Sequence, residues 1–197
     1  MRGSSNGGTR SLSVLAISGS LRRESHNAKL LRAAGELLPP SAEMELFDGL
    51  AGVPPYNEDD DVDPTPLSVQ RLRQAIAAAD AVLIATPEYN QSIPGVLKNA
   101  LDWASRPFPA NAFRGKPVAV IGASTSMFGA VWAQAELRKV LGAIGARVVE
   151  DDLPVSTAEE AFDAQFKLVS SEQHEKLAEI LDELIAEARR DAAPLAA

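Results

Sequence analysis

Between Ser18 and Asn27 the chain reads Ser-Gly-Ser-Leu-Arg-Arg-Glu-Ser-His-Asn, which sets hydroxyls at Ser18, Ser20 and Ser25 beside an amide at Asn27 and a guanidinium at Arg22. The apolar run Leu12 to Ile17 precedes it and a helical pattern follows, so the segment is a strand-to-helix turn. The first N–H groups of a helix lack intrahelical partners and carry positive potential, and a guanidinium donates two parallel hydrogen bonds. That set suits a phosphate dianion. Neither G-x-x-x-x-G-K-[ST] nor G-x-G-x-x-G is present, so neither a Mg-triphosphate nor a dinucleotide pyrophosphate grip is supported, and a mononucleotide remains. The plainer alternative is that these residues only form a turn and cap a helix. Capping needs one such residue, whereas several donors and an arginine stand here.

Two further loops repeat the pattern of a buried strand leading into a helix. Thr86 to Gly95 is polar and aromatic, with Pro87, Glu88, Tyr89, Asn90 and Gln91 ahead of Ser92-Ile93-Pro94. Backbone donors of such a turn can meet the polar edge of a flat ring while Tyr89 packs beside it. A plain turn with Pro94 at the first helical position explains the prolines but not Glu88-Tyr89-Asn90. Gly122 to Ala130 is rich in small and hydroxyl residues, among them Ser124, and fits either a wall of the same site or a bland connection.

The elements that must position these loops follow from periodicity. Strands are expected at 12–17, 44–47, 81–85, 118–121 and 147–149, and helices at 27–38, 67–79, 93–104, 131–145 and 170–190. Strands alternating with helices give a parallel sheet covered on both faces, with right-handed crossovers. Ligands of such sheets bind outside the carboxyl ends of the strands, where strand order reverses, which selects these three loops. Residues 48–66 hold four prolines and the acidic run Glu58 to Asp61 and are expected to be a long exposed loop. The expected layout is one domain over 11–190, a polar leader at 1–10 and a loose Ala-rich tail at 191–197.

Composition narrows the chemistry. The 197 residues include no cysteine, so disulfides, thiolate metal sites, thiol nucleophiles and iron–sulfur clusters are excluded, and redox work would need a borrowed cofactor. The net charge of −8 argues against a general nucleic-acid surface. No apolar run is long enough to span a membrane and the leader resembles no export signal, so a cytoplasmic protein is expected. His26 and His174 are far apart and lack carboxylates at ligand spacing, so no metal site is expected; Trp103 and Trp132 sit on helices as core or interface residues.

Taken together, Gly19-Ser20-Leu21-Arg22-x-x-Ser25-x-Asn27, Pro87-Glu88-Tyr89-Asn90 with Ser92-Ile93-Pro94-Gly95-x-Leu97-Lys98-Asn99-Ala100-Leu101-Asp102-Trp103, and Gly115-Lys116-Pro117 resemble the NADPH-dependent FMN reductase family over about residues 12–150. The resemblance implies a flavodoxin-like three-layer α/β fold with a five-stranded parallel sheet in order 2-1-3-4-5. It also implies bound FMN, NADPH or NADH as electron donor, and a small-molecule acceptor: a flavin, quinone, azo dye or metal oxyanion. The phosphate would be held by Ser18, Ser20, Leu21, Arg22, Ser25, His26 and Asn27, and the isoalloxazine by Pro87, Glu88, Tyr89, Asn90 and Gln91, with a third contact at Ser124. No side chain need act as a catalyst, since the flavin carries the chemistry. Homodimers or homotetramers are implied too. The chain departs from the family where a pair of glycines usually ends the third loop, here Gly129-Ala130, and in placing His26 at a position that is often aromatic or small. Two other classes remain: a flavodoxin-type electron carrier, whose flavin NADPH would not bleach, and a non-redox phosphate-binding assembly protein, which would be colourless.

Overall fold

The computed structural model describes residues 10–192; positions 1–9 of the expected leader and 193–197 of the expected tail lie outside the described residues. Strands β1 (Leu12–Ser18), β2 (Ala42–Leu46), β3 (Ala81–Thr86), β4 (Pro117–Ala123), β5 (Arg147–Val148) and β6 (Pro154–Val155) form one parallel sheet ordered β2-β1-β3-β4-β5, with β6 also on β4. Helices α1 (His26–Leu37), α2 (Leu67–Ala78), α3 (Gly95–Ala104), α4 (Val131–Ala143) and α5 (Ser171–Ala192) alternate with them.

The near-continuous apolar runs of β1, β3 and β4 arise because both faces of a parallel sheet are covered. Side chains alternate across it. Val14, Ala16, Leu83, Ile121 and their neighbours pack under α1 and α5. Leu15, Ile17, Val82, Ile84 and Val120 face α2, α3 and α4. This is the flavodoxin-like order that the motifs implied, with one difference at the edge. The expected fifth strand over 147–149 is two short strands along β4, separated by Glu150-Asp151-Asp152. A continued strand would turn these carboxylates toward apolar layers; instead Asp151 meets Lys176 at 2.6 Å and Asp152 lies 3.9 Å from Arg138.

The 48–66 segment is not loose. It contains short 3-10 turns at Leu50–Gly52 and Glu58–Asp60 and is fastened to α3. Asn99 donates to the Pro54 carbonyl at 2.8 Å and accepts from the Tyr56 amide at 2.7 Å, and the Trp103 indole donates to Pro54 at 2.9 Å. Tyr56 then meets the Trp103 ring edge-on at 5.0 Å. The Asn99 and Trp103 of the second motif are therefore loop anchors. Lys116 of the third motif bonds the carbonyls of Ala77 and Ala79 where α2 ends, at the opposite end of the sheet from the three loops.

Candidate functional site

Strand register sets the geometry of the site. Ser18 pairs with Ala85, and Thr86 pairs with Gly122, so the loops after β1, β3 and β4 leave adjacent strands at one level. Gly19 donates to the Ala85 carbonyl at 2.8 Å. A Cβ there would sit 3.0 Å from Leu97 and 3.2 Å from Pro87, so any larger residue would press on the second loop and the start of α3.

Ser25 caps α1: its hydroxyl accepts from Ala28 N at 3.3 Å and its carbonyl from Lys29 N at 3.0 Å. The amides of His26 and Asn27, first in the helix, are donors that the helix cannot satisfy. The Arg22 guanidinium turns back on its own loop, donating to the Glu24 carbonyl at 2.9 Å. Ser18 braces the loop from beneath through Ser20, accepting from its amide at 3.3 Å. The buried Asn27 side chain has a different partner from the one expected. Its amide donates to Ala123 O and accepts from Ala123 N, both at 2.9 Å, tying the first loop to the end of β4.

In the second loop Tyr89 and Ser92 exchange backbone hydrogen bonds around Asn90 (φ 54°) and Gln91 (φ 61°), a tight turn with two left-handed residues. This turn and the burial of Ile93 delay α3, so Pro94 occupies the N-cap rather than the first helical position. The third loop ends in two left-handed residues, Gly129 (φ 59°) and Ala130 (φ 65°). That conformation explains why glycines suit both positions.

Ala130, at the N-cap of α4, has no oxygen to offer. Glu88 supplies it from the second loop, accepting from Trp132 N at 3.0 Å and Ala133 N at 3.1 Å. A carboxylate at a helix N-terminus also meets the positive end of the dipole. Glu88→Ala should therefore lower stability by about 1–2 kcal/mol, seen as a reduced urea midpoint at unchanged m value, and Glu88→Gln should restore most of it.

These contacts enclose a polar cavity of about 100 Å³ lined by Ser20, Arg22, Ser25, His26, Asn27, Pro87, Glu88, Tyr89, Ala123, Ser124 and Thr125. A wider, more apolar one of about 470 Å³, lined by Gly19, Leu21, Arg22, Tyr89, Pro94, Gly95 and Val96, shares Arg22 and Tyr89 with it. Ser18, Asn90 and Gln91 line neither: the first is a brace, the others form the turn's exposed tip. Ala123 and Thr125 escaped the sequence reading because alanine and threonine in a small-residue loop carry no distinctive chemistry. The wall behind them, residues 153–158, escaped it too; Ser124 N donates to Val155 O at 3.0 Å and Ala158 N to Ser124 O at 3.1 Å. His26 is held below its ordinary pKa first by burial, then by Lys29 and Arg22, against a smaller opposing pull from Glu159. The outer edge is apolar, with Met127 74%, Phe128 51% and Trp132 41% exposed.

Comparison with known proteins agrees with this geometry. The family model described as NADPH-dependent FMN reductase matches residues 12–160. An NAD(P)H-dependent FMN reductase of Pseudomonas aeruginosa is 46% identical over 174 residues, 88% of this chain and 93% of the relative. A 2-hydroxy-1,4-benzoquinone reductase of Burkholderia sp. is 39% identical over 176 residues, covering 89% and 95%. Among solved structures, FerB, a flavoenzyme NAD(P)H:(acceptor) oxidoreductase from Paracoccus denitrificans, superposes with a TM-score of 0.80 at 36% identity, covering 91% of this chain and 98% of its own. With strand order, loop placement and sequence all in agreement, the chain belongs to the NADPH-dependent FMN reductase family.

Proposed function

We propose that this protein is an FMN-dependent NAD(P)H oxidoreductase that passes hydride through its flavin to a small acceptor of the quinone, flavin, azo or metal-oxyanion kind. The observation that carries the reading is the convergence of Ser20, Arg22, Ser25 and the first amides of α1 on one small polar cavity beside a wider apolar one. The small cavity has the size and donors for a phosphate, and the wider one can take a flat ring. FMN supplies the two-electron chemistry when bound.

In this reading Ser20, Arg22 and Ser25 hold the phosphate with the backbone of His26 and Asn27. The Asn27 side chain acts by fixing the loop, and Ser18 by bracing Ser20. Pro87, Glu88 and Tyr89 border the isoalloxazine, the Asn90-Gln91 turn presents its backbone, Leu21 packs at the rim, and Ser124 and Thr125 form the third wall. No residue is assigned to proton transfer.

The test is the visible spectrum of protein incubated with FMN, desalted, and mixed anaerobically with NADPH or NADH. A retained flavin band that bleaches identifies a reductase and its donor. A band that persists would move the protein to the electron-carrier class, and no retained band would refute the flavin assignment. Arg22→Ala should weaken FMN about 10- to 100-fold, through loss of a charge-assisted hydrogen bond, while leaving riboflavin, which lacks the phosphate, within about twofold.

A homodimer or homotetramer in the cytoplasm belongs to the same proposal. The exposed Met127, Phe128 and Trp132 beside the site support assembly, and light scattering of the purified protein measures it. Among the described residues no helix is long and apolar enough to cross a membrane and no acidic or histidine cluster could hold a metal ion.

A further inference from the structure

His26 is the first residue of α1, immediately after the capping Ser25. It lines the small polar cavity with Ser20, Arg22 and Ser25. Its Nδ1 is buried and has no hydrogen-bond partner. An orphaned polar atom is costly to keep and asks for an explanation. Neither helix capping nor loop bracing supplies one here, since Ser25 caps α1 and Ser18 braces the loop.

The groups facing the ring come from three segments. Lys29 on the next turn of α1 and Arg22 from the first loop oppose a positive charge on it, as does burial; Glu159, from the segment after β6, favours one. These influences favour the neutral imidazole when no phosphate is bound. A phosphate dianion seated on the amides of α1 would reverse this balance, because its charge offsets Arg22 and Lys29 and adds attraction for an imidazolium.

Resting on the FMN reading above, we propose that His26 is the proton acceptor coupled to phosphate capture: as the FMN phosphate enters, one proton from solvent moves onto the His26 imidazole. The sign follows from linkage. The pKa is higher with phosphate bound than without, so the extra affinity is complete below the pKa of the empty site and disappears as pH rises through that of the occupied one. FMN has an opposing dependence, since its own second phosphate ionisation, near about 6, removes the dianion as pH falls. Wild type and variant must therefore be compared at equal pH.

The experiment titrates apo-protein with FMN by flavin fluorescence at about pH 6, 7 and 8, for wild type and His26→Gln, with riboflavin as the phosphate-free control. The ratio of variant to wild-type Kd should rise about 3- to 10-fold between about pH 8 and 6 with FMN, a shift of one pKa unit corresponding to tenfold, and stay level with riboflavin. Calorimetry in two buffers of different ionisation enthalpy should show greater proton uptake by wild type than by the variant. Glu159→Gln, which leaves the ring in place, should move the window to lower pH and guards against a poorly folded His26 variant. Parallel pH profiles for wild type and His26→Gln, or a ratio that rises equally with riboflavin, would overturn the proposal while leaving the flavin site standing. Failure of wild type to bind FMN at any of these pH values would overturn both.

Discussion

Gly129→Ala should lower stability by about 2–5 kcal/mol and the thermal midpoint by roughly 10 °C. Gly129 has φ 59°, a left-handed conformation that costs an L-residue about 1–2 kcal/mol. An added Cβ would lie 2.4 Å from the Pro154 carbonyl carbon, 2.6 Å from its oxygen and 2.8 Å from Val155 N. Those atoms cannot retreat. They belong to β6, which is registered on Gly122 and Ala123 of β4, so relief of the clash means losing the strand, and overpacking adds about 1–3 kcal/mol more. Gly142→Ala is the control: it sits exposed in α4 with nothing within 4 Å of the new carbon, and should stabilise by about 0.5–1 kcal/mol. A Gly129→Ala midpoint within about 2 °C of wild type would mean that β6 does not press on the third loop.

Asn27→Ala should cost about 2–6 kcal/mol and weaken FMN by at least about tenfold. Both polar groups of the buried side chain bond the Ala123 peptide. Truncation orphans the N–H and the C=O of Ala123, each at about 1–3 kcal/mol. It also releases the first loop from β4, and with it the serines and arginine that must converge on one anion. Stability loss alone would not do this, so the comparison is Leu184→Ala, a buried core truncation on α5 expected to cost about 2–5 kcal/mol. Equal FMN affinity in the two variants would refute a positioning role for Asn27; a loss confined to Asn27→Ala would support it.

Asn27 and Glu88 are residues that a sequence reading identifies as ligand contacts and that the structure also bonds to distant parts of the chain. Asn27 is a donor and acceptor of the right kind for a phosphate, and its partner lies 96 residues away. Glu88 looks like a ring contact and caps a helix 44 residues on. A polar side chain has the same chemistry whether its partner is a ligand or a peptide group. Only the register of β1, β3 and β4 makes Ala123 and the start of α4 available as partners. The same holds for Asn99 and Trp103, whose role depends on Pro54 being brought to α3.

The architecture and the meeting of three loops at the carboxyl ends of the strands were determined by the sequence alone, for reasons that are local. Continuous apolar runs ended by Gly, Ser and Pro define strands covered on both faces, their alternation with helices dictates parallel pairing, and the topology puts chemistry at the carboxyl ends. The family pattern of residue types in the three loops was likewise readable in one dimension. Tertiary structure decided what each polar side chain is bonded to, that β5 and β6 are separate, that residues 48–66 are pinned rather than loose, and that His26 keeps an unpartnered buried nitrogen. Hydrogen bonds, close approach and burial are pairwise properties of distant residues, and these pairs exist only after the sheet has aligned them.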